Sequence, residues 1–478
     1  MKLRQFTVTT ILSSLLCLSL PAFAEEHRSG EEYFADLGAF VRKTMTETAV
    51  PGIAVGVLHH GNSYAEGFGV TNIEHPLGVR ADTLFQVGSI TKTMTGTILM
   101  QLADQGKLDI DAPVRRYVPE FQVSDKTATE SATVRQLLSH MGGWEGDHFS
   151  PTGEGDDALD RILAEMTDLQ QLAPFNTVYS YNNSGFYVAG KIIESIIGAP
   201  YEAAFESLMI EQLGLENTYI RPADVMTRRF AVGHSVSESG TTTAGPYALY
   251  RAAYAAGGAI MSVGDMLKYA AFHMGDGTNA NGERVLSEAR LKEMRTVQAP
   301  KLGADGSIGL TWHIDDVGEV QTVGHGGATV GQIARLVLVP EQKFALAVVT
   351  NADSGRQAAS AIVDQALEQF LGAKTEHREA LALSPAQLGA YVGVYSRPFA
   401  DIVVTMKGGE LFLQQIIKKG FPDNDSPLPE PAPPAAVEFF AEDQVRAVSG
   451  PWTAEFVRNP DGSIGWLRRS RIHARQSD

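Results

Sequence analysis

Phe85-Gln-Val-Gly-Ser-Ile-Thr-Lys-Thr-Met94 is the stretch on which the reading of this chain turns. A Gly-Ser pair opens an apolar helical pattern there, and Lys92 follows Ser89 by three residues. Ile90, Met94, Ile98 and Leu102 then recur every four positions, which predicts a helix with one buried stripe. Positions three apart share a helix face, so the Ser89 hydroxyl and the Lys92 amine are expected to be neighbours. The serine would lie in the first turn, where free backbone N–H groups favour negative charge. A hydroxyl nucleophile needs a nearby base and a site that tolerates an oxyanion. Only Ser89 among the serines has a lysine three residues on. A capping serine followed by a solvated lysine has the same spacing, so the rest of the chain must decide.

Upstream, Glu31 to Thr46 reads as an amphipathic helix with Phe34, Leu37, Phe40, Val41 and Met45 on one side. Ile53 to Leu58 reads as a buried strand, and Gly61-Asn62 turns it into a second strand over Ser63 to Val70. Downstream, Gly106 stops the Ser89 helix. Val134 to Gly143 is a short helix closed by two glycines, and Phe186 to Ile197 and Tyr201 to Gln212 are further helices. Ser262 is the expected cap of a helix running to His273. The Gly-rich stretch Gly324 to Gly331 leads into two strands, Ile333 to Val339 and Phe344 to Thr350, and Ala358 to Leu371 is a last helix. Strands at both ends with helices between predict an α/β (α+β) domain. Its mixed antiparallel sheet is flanked by helices, and its first and last segments pair.

After Gly372 the helical signal fades. Tyr391 to Tyr395, Ile402 to Met406, Leu411 to Gln415, Val437 to Phe440, Thr453 to Val457 and Ile464 to Leu467 are short strands. Lys407 to Glu410 and Asn459 to Gly462 are hairpin turns, and Pro422 to Pro434 is an exposed loop. The expected organisation is a signal over residues 1–24, a first domain over 25–372, a linker over 373–385 and a small all-β, barrel-like domain over 386–478.

At the N-terminus, Lys2 and Arg4 precede an apolar run from Ile11 to Leu20, then Pro21 and Ala22-Phe-Ala24. This is the pattern of a secretory signal cut after Ala24, and the run is too short to stay in a bilayer. Cys17, the only cysteine, lies inside it, and Leu16 before it is not the small residue a lipoprotein signal needs. The mature protein is therefore expected in the periplasm or outside the cell, without a disulfide or a membrane anchor. The formal net charge of −17 becomes −19 once Lys2 and Arg4 are lost. No Lys/Arg run stands out, which argues against nucleic acid and anionic membranes as partners.

Acyl transfer from a Ser–Lys pair also needs a proton shuttle and donors for the oxyanion. Tyr181 and Asn183 are two apart on the polar turn Tyr179 to Gly185, and an extended turn would point both the same way. His325 with Gly326 and Gly327 is the other candidate, because paired glycines let a substrate strand approach closely. The same residues would also fit a core tyrosine, a turn asparagine and a plain Gly-rich turn.

Taken in order, Ser89-x-x-Lys92, Tyr181-x-Asn183 and His325-x-Gly327 resemble the three motifs of the serine β-lactamase/penicillin-recognising superfamily, in its class C-like branch. The stretches Leu137 to Gly143, Gly106 to Asp109, Leu213 to Thr218 and Gly257-Gly258 with Ser262 and Asp265 resemble it too, over roughly Glu31 to Leu371. The resemblance implies that Ser89 becomes acylated and that Lys92 and Tyr181 share the acid and base work, in an order the sequence leaves open. It implies that Asn183 holds the Lys92 amine and the substrate amide. The N–H groups of Ser89 and Ala328 would take the oxyanion, with His325, Gly326 and Gly327 lining the substrate. No cofactor and no metal is implied. Other histidines, among them His59, His60 and His140, are read as structural or surface residues.

Many members carry Lys-Thr-Gly where this chain has His325-Gly-Gly, and histidine is mostly neutral at pH 7. That substitution is expected to weaken recognition of substrate carboxylates at that point. His-x-Gly is similar to the D-aminopeptidase version of the motif. Relatives with a lipocalin-like C-terminal domain are often peptidases, in which that domain limits access to the cleft. The expected function is an exported serine hydrolase of small peptides or amides. The alternatives are an esterase on short acyl esters, a weak β-lactamase, and a non-catalytic binder on the same fold.

Overall fold

The computed structural model of the chain describes residues 29–302, 306–375, 378–450 and 452–476. The expected signal and Cys17 lie outside the described residues.

An eight-stranded sheet forms the centre of the first domain. Its strands are β1 (Gly52–His59), β2 (Asn62–Gly69), β3 (Ala299–Leu302), β4 (Gly306–Ile308), β5 (His313–Val317), β6 (Val320–Thr329), β7 (Gln332–Val339) and β8 (Phe344–Thr350). The spatial order is β2-β1-β8-β7-β6-β5-β4-β3, and every pairing is antiparallel. The expected pairing of the first and last segments is present, with Ile53 opposite Thr350 and Val57 opposite Leu346. Strand β8 is buried throughout, which is why it reads as an unbroken apolar run.

Each face of the sheet carries its own core. On one side α1 (Gly30–Thr48) and α5 (Gly355–Leu371) bring Leu37, Val41, Ile362 and Phe370 against Val55 and Val348. On the other, α2 (Thr91–Asp104), α3 (Ser184–Ile197) and α4 (Val263–Met274) pack Ile98, Ile193 and Met266 over Ala54, Leu336 and Ala347. Helix α4 starts at Ser262 as expected, with the serine oxygen accepting from the Asp265 N–H.

Helix α2 corrects the single-stripe expectation, because every residue from Thr91 to Ala103 is buried. What looked like a polar face is a row of threonines whose hydroxyls are all satisfied inside the protein. Thr95 meets Tyr201 at 2.8 Å, Thr97 meets His273 at 3.0 Å, and Thr93 accepts from Tyr269 at 3.0 Å. Threonine can return its hydroxyl to the preceding turn, as Thr97 does to the Thr93 carbonyl at 2.8 Å, so such a face needs no water. The Tyr201 helix also departs from expectation, passing at Phe205 into a wider π turn over Glu206–Glu211. The Gly324 to Gly331 stretch is no loop, since all but its end lies within β6.

The second domain is a closed barrel of eight strands: β9 (Gly393–Arg397), β10 (Ala400–Lys407), β11 (Glu410–Ile417), β12 (Ala435–Ala441), β13 (Gln444–Ala447), β14 (Thr453–Arg458), β15 (Ile464–Arg469) and β16 (Arg471–Arg475). The glycine turn closes β10 onto β11 with Lys407 opposite Glu410. Strands β13 and β16 escape the sequence reading because Gln-Val-Arg-Ala and Arg-Ile-His-Ala-Arg look polar. The Pro422 to Pro434 loop is mostly exposed, but its start docks on the first domain, where the Phe421 ring lies 5.0 Å from that of Phe149. The barrel is fixed elsewhere by Trp466 Nε1 donating to the Leu172 carbonyl and by the Tyr181 N–H donating to the Ser470 carbonyl.

Candidate active site

Ser89 occupies a single 3₁₀ turn, Gly88–Ile90, one step before α2. Gly88 has a left-handed φ of 52°, and a Cβ there would come within 2.7 Å of the Ala328 nitrogen. On the facing strand, a Cβ on Gly327 would sit 1.8 Å from the Val87 carbonyl and 3.1 Å from the Ser89 nitrogen. Two bare glycines therefore let β6 lie directly on the Ser89 turn. This brings the N–H groups of Ser89 and Ala328 to one place.

The Lys92 side chain is 1 % exposed, and its amine donates to Ser89 Oγ at 3.1 Å and to the Ala256 carbonyl at 2.6 Å. It also lies 5.2 Å from the Tyr181 ring centre and 5.3 Å from that of Phe186. Burial, aided by the charge of Arg471 and opposed by Asp147, pushes the amine well below the usual lysine range. Tyr181 is buried and shifted the other way. Burial raises its phenol, while the Ser89 hydroxyl and Arg471 act against that rise. The desolvated state of the pair is thus a neutral amine beside a protonated phenol.

His325 projects from β6 towards the same place and is 4 % exposed. Its Nδ1 donates to the Gly326 carbonyl at 2.6 Å, which leaves Nε2 as a bare buried acceptor. Burial, with Lys92 adding to it, lowers the imidazole to about 3, so it carries no charge at neutral pH. Two more histidines surround Tyr181. His140 stacks on its ring at 4.4 Å and accepts from the Asn182 N–H, while His313 lies 4.7 Å from His325. His140 is buried and not at the surface, and its ring forms a wall of the site.

Asn183 departs from one expected role, that of holding the Lys92 amine. The turn is helical rather than extended there, with φ −77° and ψ −40°, and its amide nitrogen donates to Asp147 Oδ1 at 2.7 Å. The carbonyl of Ala256 holds the Lys92 amine instead. The cause is Asp147, which collects charge from the barrel. Arg471 Nε lies 2.9 Å and Arg397 Nη2 3.0 Å from its Oδ2. Burial alone would raise that carboxyl, but the two guanidiniums outweigh it and hold it at about 2. Arg397 also reaches Glu145 at 2.9 Å, each 3 % exposed.

Glu145, Asp147, Ala256, His313, Arg397 and Arg471 all escape the sequence reading. One signal was available. Arg468-Arg469-Ser470-Arg471 is a dense basic run at the β15–β16 turn, and it corrects the statement that none stands out. The Arg471 guanidinium sits 4.6 Å over the Tyr181 ring, so the barrel reaches into the site.

A serine at the foot of a buried helix, a desolvated lysine on its hydroxyl and a phenol alongside, all against an antiparallel sheet, are the arrangement of the serine β-lactamase fold. The chain belongs to the beta-lactamase family, whose model matches residues 37–369, and members of that family are serine hydrolases. Penicillin-binding protein 4 of Amycolatopsis lactamdurans is 33% identical over 322 residues, covering 64% of this chain and 82% of that protein. The unguisins hydrolase ungD' of Aspergillus campestris (strain IBT 28561) is 26% identical over 73% of this chain and 68% of its own length. Among solved structures, SurE aligns with a TM-score of 0.71 and 25% identity over 94% of this chain and 100% of its own, so the likeness includes the barrel. The octameric penicillin-binding protein homologue from Pyrococcus abyssi shares the fold with a TM-score of 0.64 and 24% identity, over 92% of this chain and 99% of its own.

Proposed function

We propose that this protein is an exported serine hydrolase that cleaves small peptide or amide substrates through an acyl-enzyme on Ser89. The observation that carries the reading is the Lys92 amine, buried, depressed in pKa and 3.1 Å from Ser89 Oγ. Lys92 accepts the serine proton as Oγ bonds to the substrate carbonyl carbon, and the N–H groups of Ser89 and Ala328 receive the oxyanion. The Tyr181 phenol donates a proton to the leaving nitrogen as the C–N bond breaks, and is reprotonated from Lys92. Water then attacks the ester, giving up its proton by the same route in reverse, and frees Ser89. His325, Gly326, Gly327 and Asn183 border the bound substrate. The hydrolase named among the relatives supports hydrolysis as the reaction. The N-terminal basic, apolar and small-residue pattern supports export to the periplasm.

Incubation with a mixed library of L- and D-peptides followed by mass spectrometry tests the reading. Cleavage by wild type, lost in Ser89→Ala, is expected. Turnover of p-nitrophenyl butyrate with no peptide cleaved would replace the peptidase reading with the esterase one. A fluorophosphonate that labels Ser89→Ala as readily as wild type would remove Ser89 from the chemistry.

A further inference from the structure

A side-chain amide has one donor arm and one acceptor arm, and Asp147 decides which way those of Asn183 point. The segment from Glu145 to Asp147 lies directly on the turn from Asn182 to Ser184. The N–H groups of Asn183 and Ser184 both donate to the Gly146 carbonyl, at 3.1 Å and 2.9 Å. A Cβ on Gly146 would lie 2.5 Å from the Asn182 Cα, so the two segments touch backbone to backbone. That register leaves Asp147 facing Asn183.

Asp147 is itself pinned. Its Oδ1 receives Asn183 Nδ2 at 2.7 Å and Arg471 Nη2 at 3.1 Å. Arg471 Nε and Arg397 Nη2 lie 2.9 Å and 3.0 Å from its Oδ2. Between two guanidiniums the carboxylate stays ionised and can only accept hydrogen bonds. Turning the Asn183 amide over would set its carbonyl oxygen against a carboxylate oxygen in a buried place. The nitrogen therefore stays on Asp147, and Oδ1 stays on the arm turned away from it.

That oxygen accepts no hydrogen bond among the described residues, although Asn183 is half-buried. The Lys92 amine, the donor closest to hand, goes to Ser89 Oγ and the Ala256 carbonyl instead. His325 Nε2, on a ring 6.0 Å from that of Tyr181, is a second acceptor without a partner. The side chains around Ser89 thus offer lone pairs, which a substrate N–H satisfies and an ester oxygen in its place repels.

We propose that Asp147 is a positioning residue: by holding the Asn183 nitrogen it presents the Asn183 carbonyl to an N–H on the acyl part of the substrate, as in an acylamino acid or a peptide. The leaving nitrogen is met by the Tyr181 phenol, so the N–H left for Asn183 is the one on the acyl side. The inference rests on the hydrolase reading and adds the group that is recognised. Two achiral p-nitrophenyl esters test it, those of N-acetylglycine and of acetoxyacetic acid, which differ by an N–H replaced with oxygen. The ratio of their kcat/KM values is compared in full-length wild type, Asn183→Leu and Asp147→Asn, so that the intrinsic reactivities of the esters cancel. The preference for the N–H ester is expected to fall about tenfold in Asn183→Leu, which loses the acceptor, and about threefold in Asp147→Asn, which lets the amide turn over. A purely structural role for Asp147, or partial unfolding of a variant, would slow both esters alike and leave the ratio in place. A ratio that stays within about twofold of wild type in either variant overturns the proposal. Ser89→Ala checks the hydrolase reading. Turnover that survives there, or none in wild type, sinks that reading, whereas Ser89-dependent turnover with an unmoved ratio sinks only the positioning of Asn183.

Discussion

Replacing Arg471 by methionine should move the pH dependence of Ser89 acylation, although Arg471 belongs to the barrel. Its guanidinium is 4.6 Å and the Lys92 amine 5.2 Å from the centre of the same Tyr181 ring, so the two cannot be more than about 10 Å apart. At that limit, with an effective dielectric of about 20, two unit charges repel by about 1.7 kcal/mol, or about one pH unit. Removing the cation raises the lysine pKa, and Asp147, relieved of one partner, pulls the same way. Lys92 takes the serine proton only when neutral, so the acid limb of the rate should shift to higher pH by about one unit. Arg397 still holds Asp147 in this variant, which protects the fold. The assay is the rate of fluorophosphonate adduct formation, read by intact mass, across the pH range in wild type, Arg471→Met and Arg471→Lys. The lysine variant keeps a charge and should shift less. A limb that stays in place or moves to lower pH in Arg471→Met, with an unchanged thermal transition, would refute the electrostatic argument.

Three further outcomes follow from the packing. Gly327→Ala should abolish Ser89 labelling, since its Cβ would meet the Val87 carbonyl at 1.8 Å and must push β6 off the serine turn. Gly326→Ala meets only the side chain of Arg335 and should be tolerated better in the same labelling assay. Arg397→Met should cost about 3–5 kcal/mol in urea unfolding, because it leaves Glu145 and part of Asp147 buried without a counter-charge. Adding Glu145→Gln should recover about 1 kcal/mol or more, and strict additivity would show that the pair is not coupled. His273 is fully buried against Thr97, and burial lowers its imidazole to about 3. The unfolded chain therefore binds the extra proton between about pH 6.5 and 3, so stability should fall as the pH is lowered through that window, by up to about 1.4 kcal/mol per unit. Thermal melts of His273→Gln should show a flatter acid slope across that window.

Local chemistry explains which parts of this architecture were legible in the sequence. Ser89 and Lys92 are three residues apart on one helical turn, so their meeting needs no tertiary knowledge. The hairpin, the closing β8–α5 unit and the Ser262 cap carry their signals in residues adjacent along the chain. The threonine face of α2 misled because burial of a polar face depends on partners such as Tyr201, Tyr269 and His273, far along the chain. Asn183 misled for the same reason, since its partner Asp147 is set by arginines more than two hundred residues away. Strands β13 and β16 are short and at least half polar, and nothing local separates such a stretch from a solvated loop.

These failures share a cause that bears on how the site works. Asp147 and Glu145 come from the first domain and are buried, yet their counter-charges Arg397 and Arg471 come from the barrel. Removing the barrel would take the counter-charges from both carboxylates and leave Asp147 acting on the lysine unopposed. Asp147 would then favour the charged amine, the opposite of the state that can accept a proton. The backbone says the same, because the Tyr181 N–H is satisfied by Ser470 and the Ile472 N–H by Ser180. A domain that only covered the cleft could be cut away with a gain in access. One that supplies the charge balance beneath the acid–base pair cannot, and this barrel does the second.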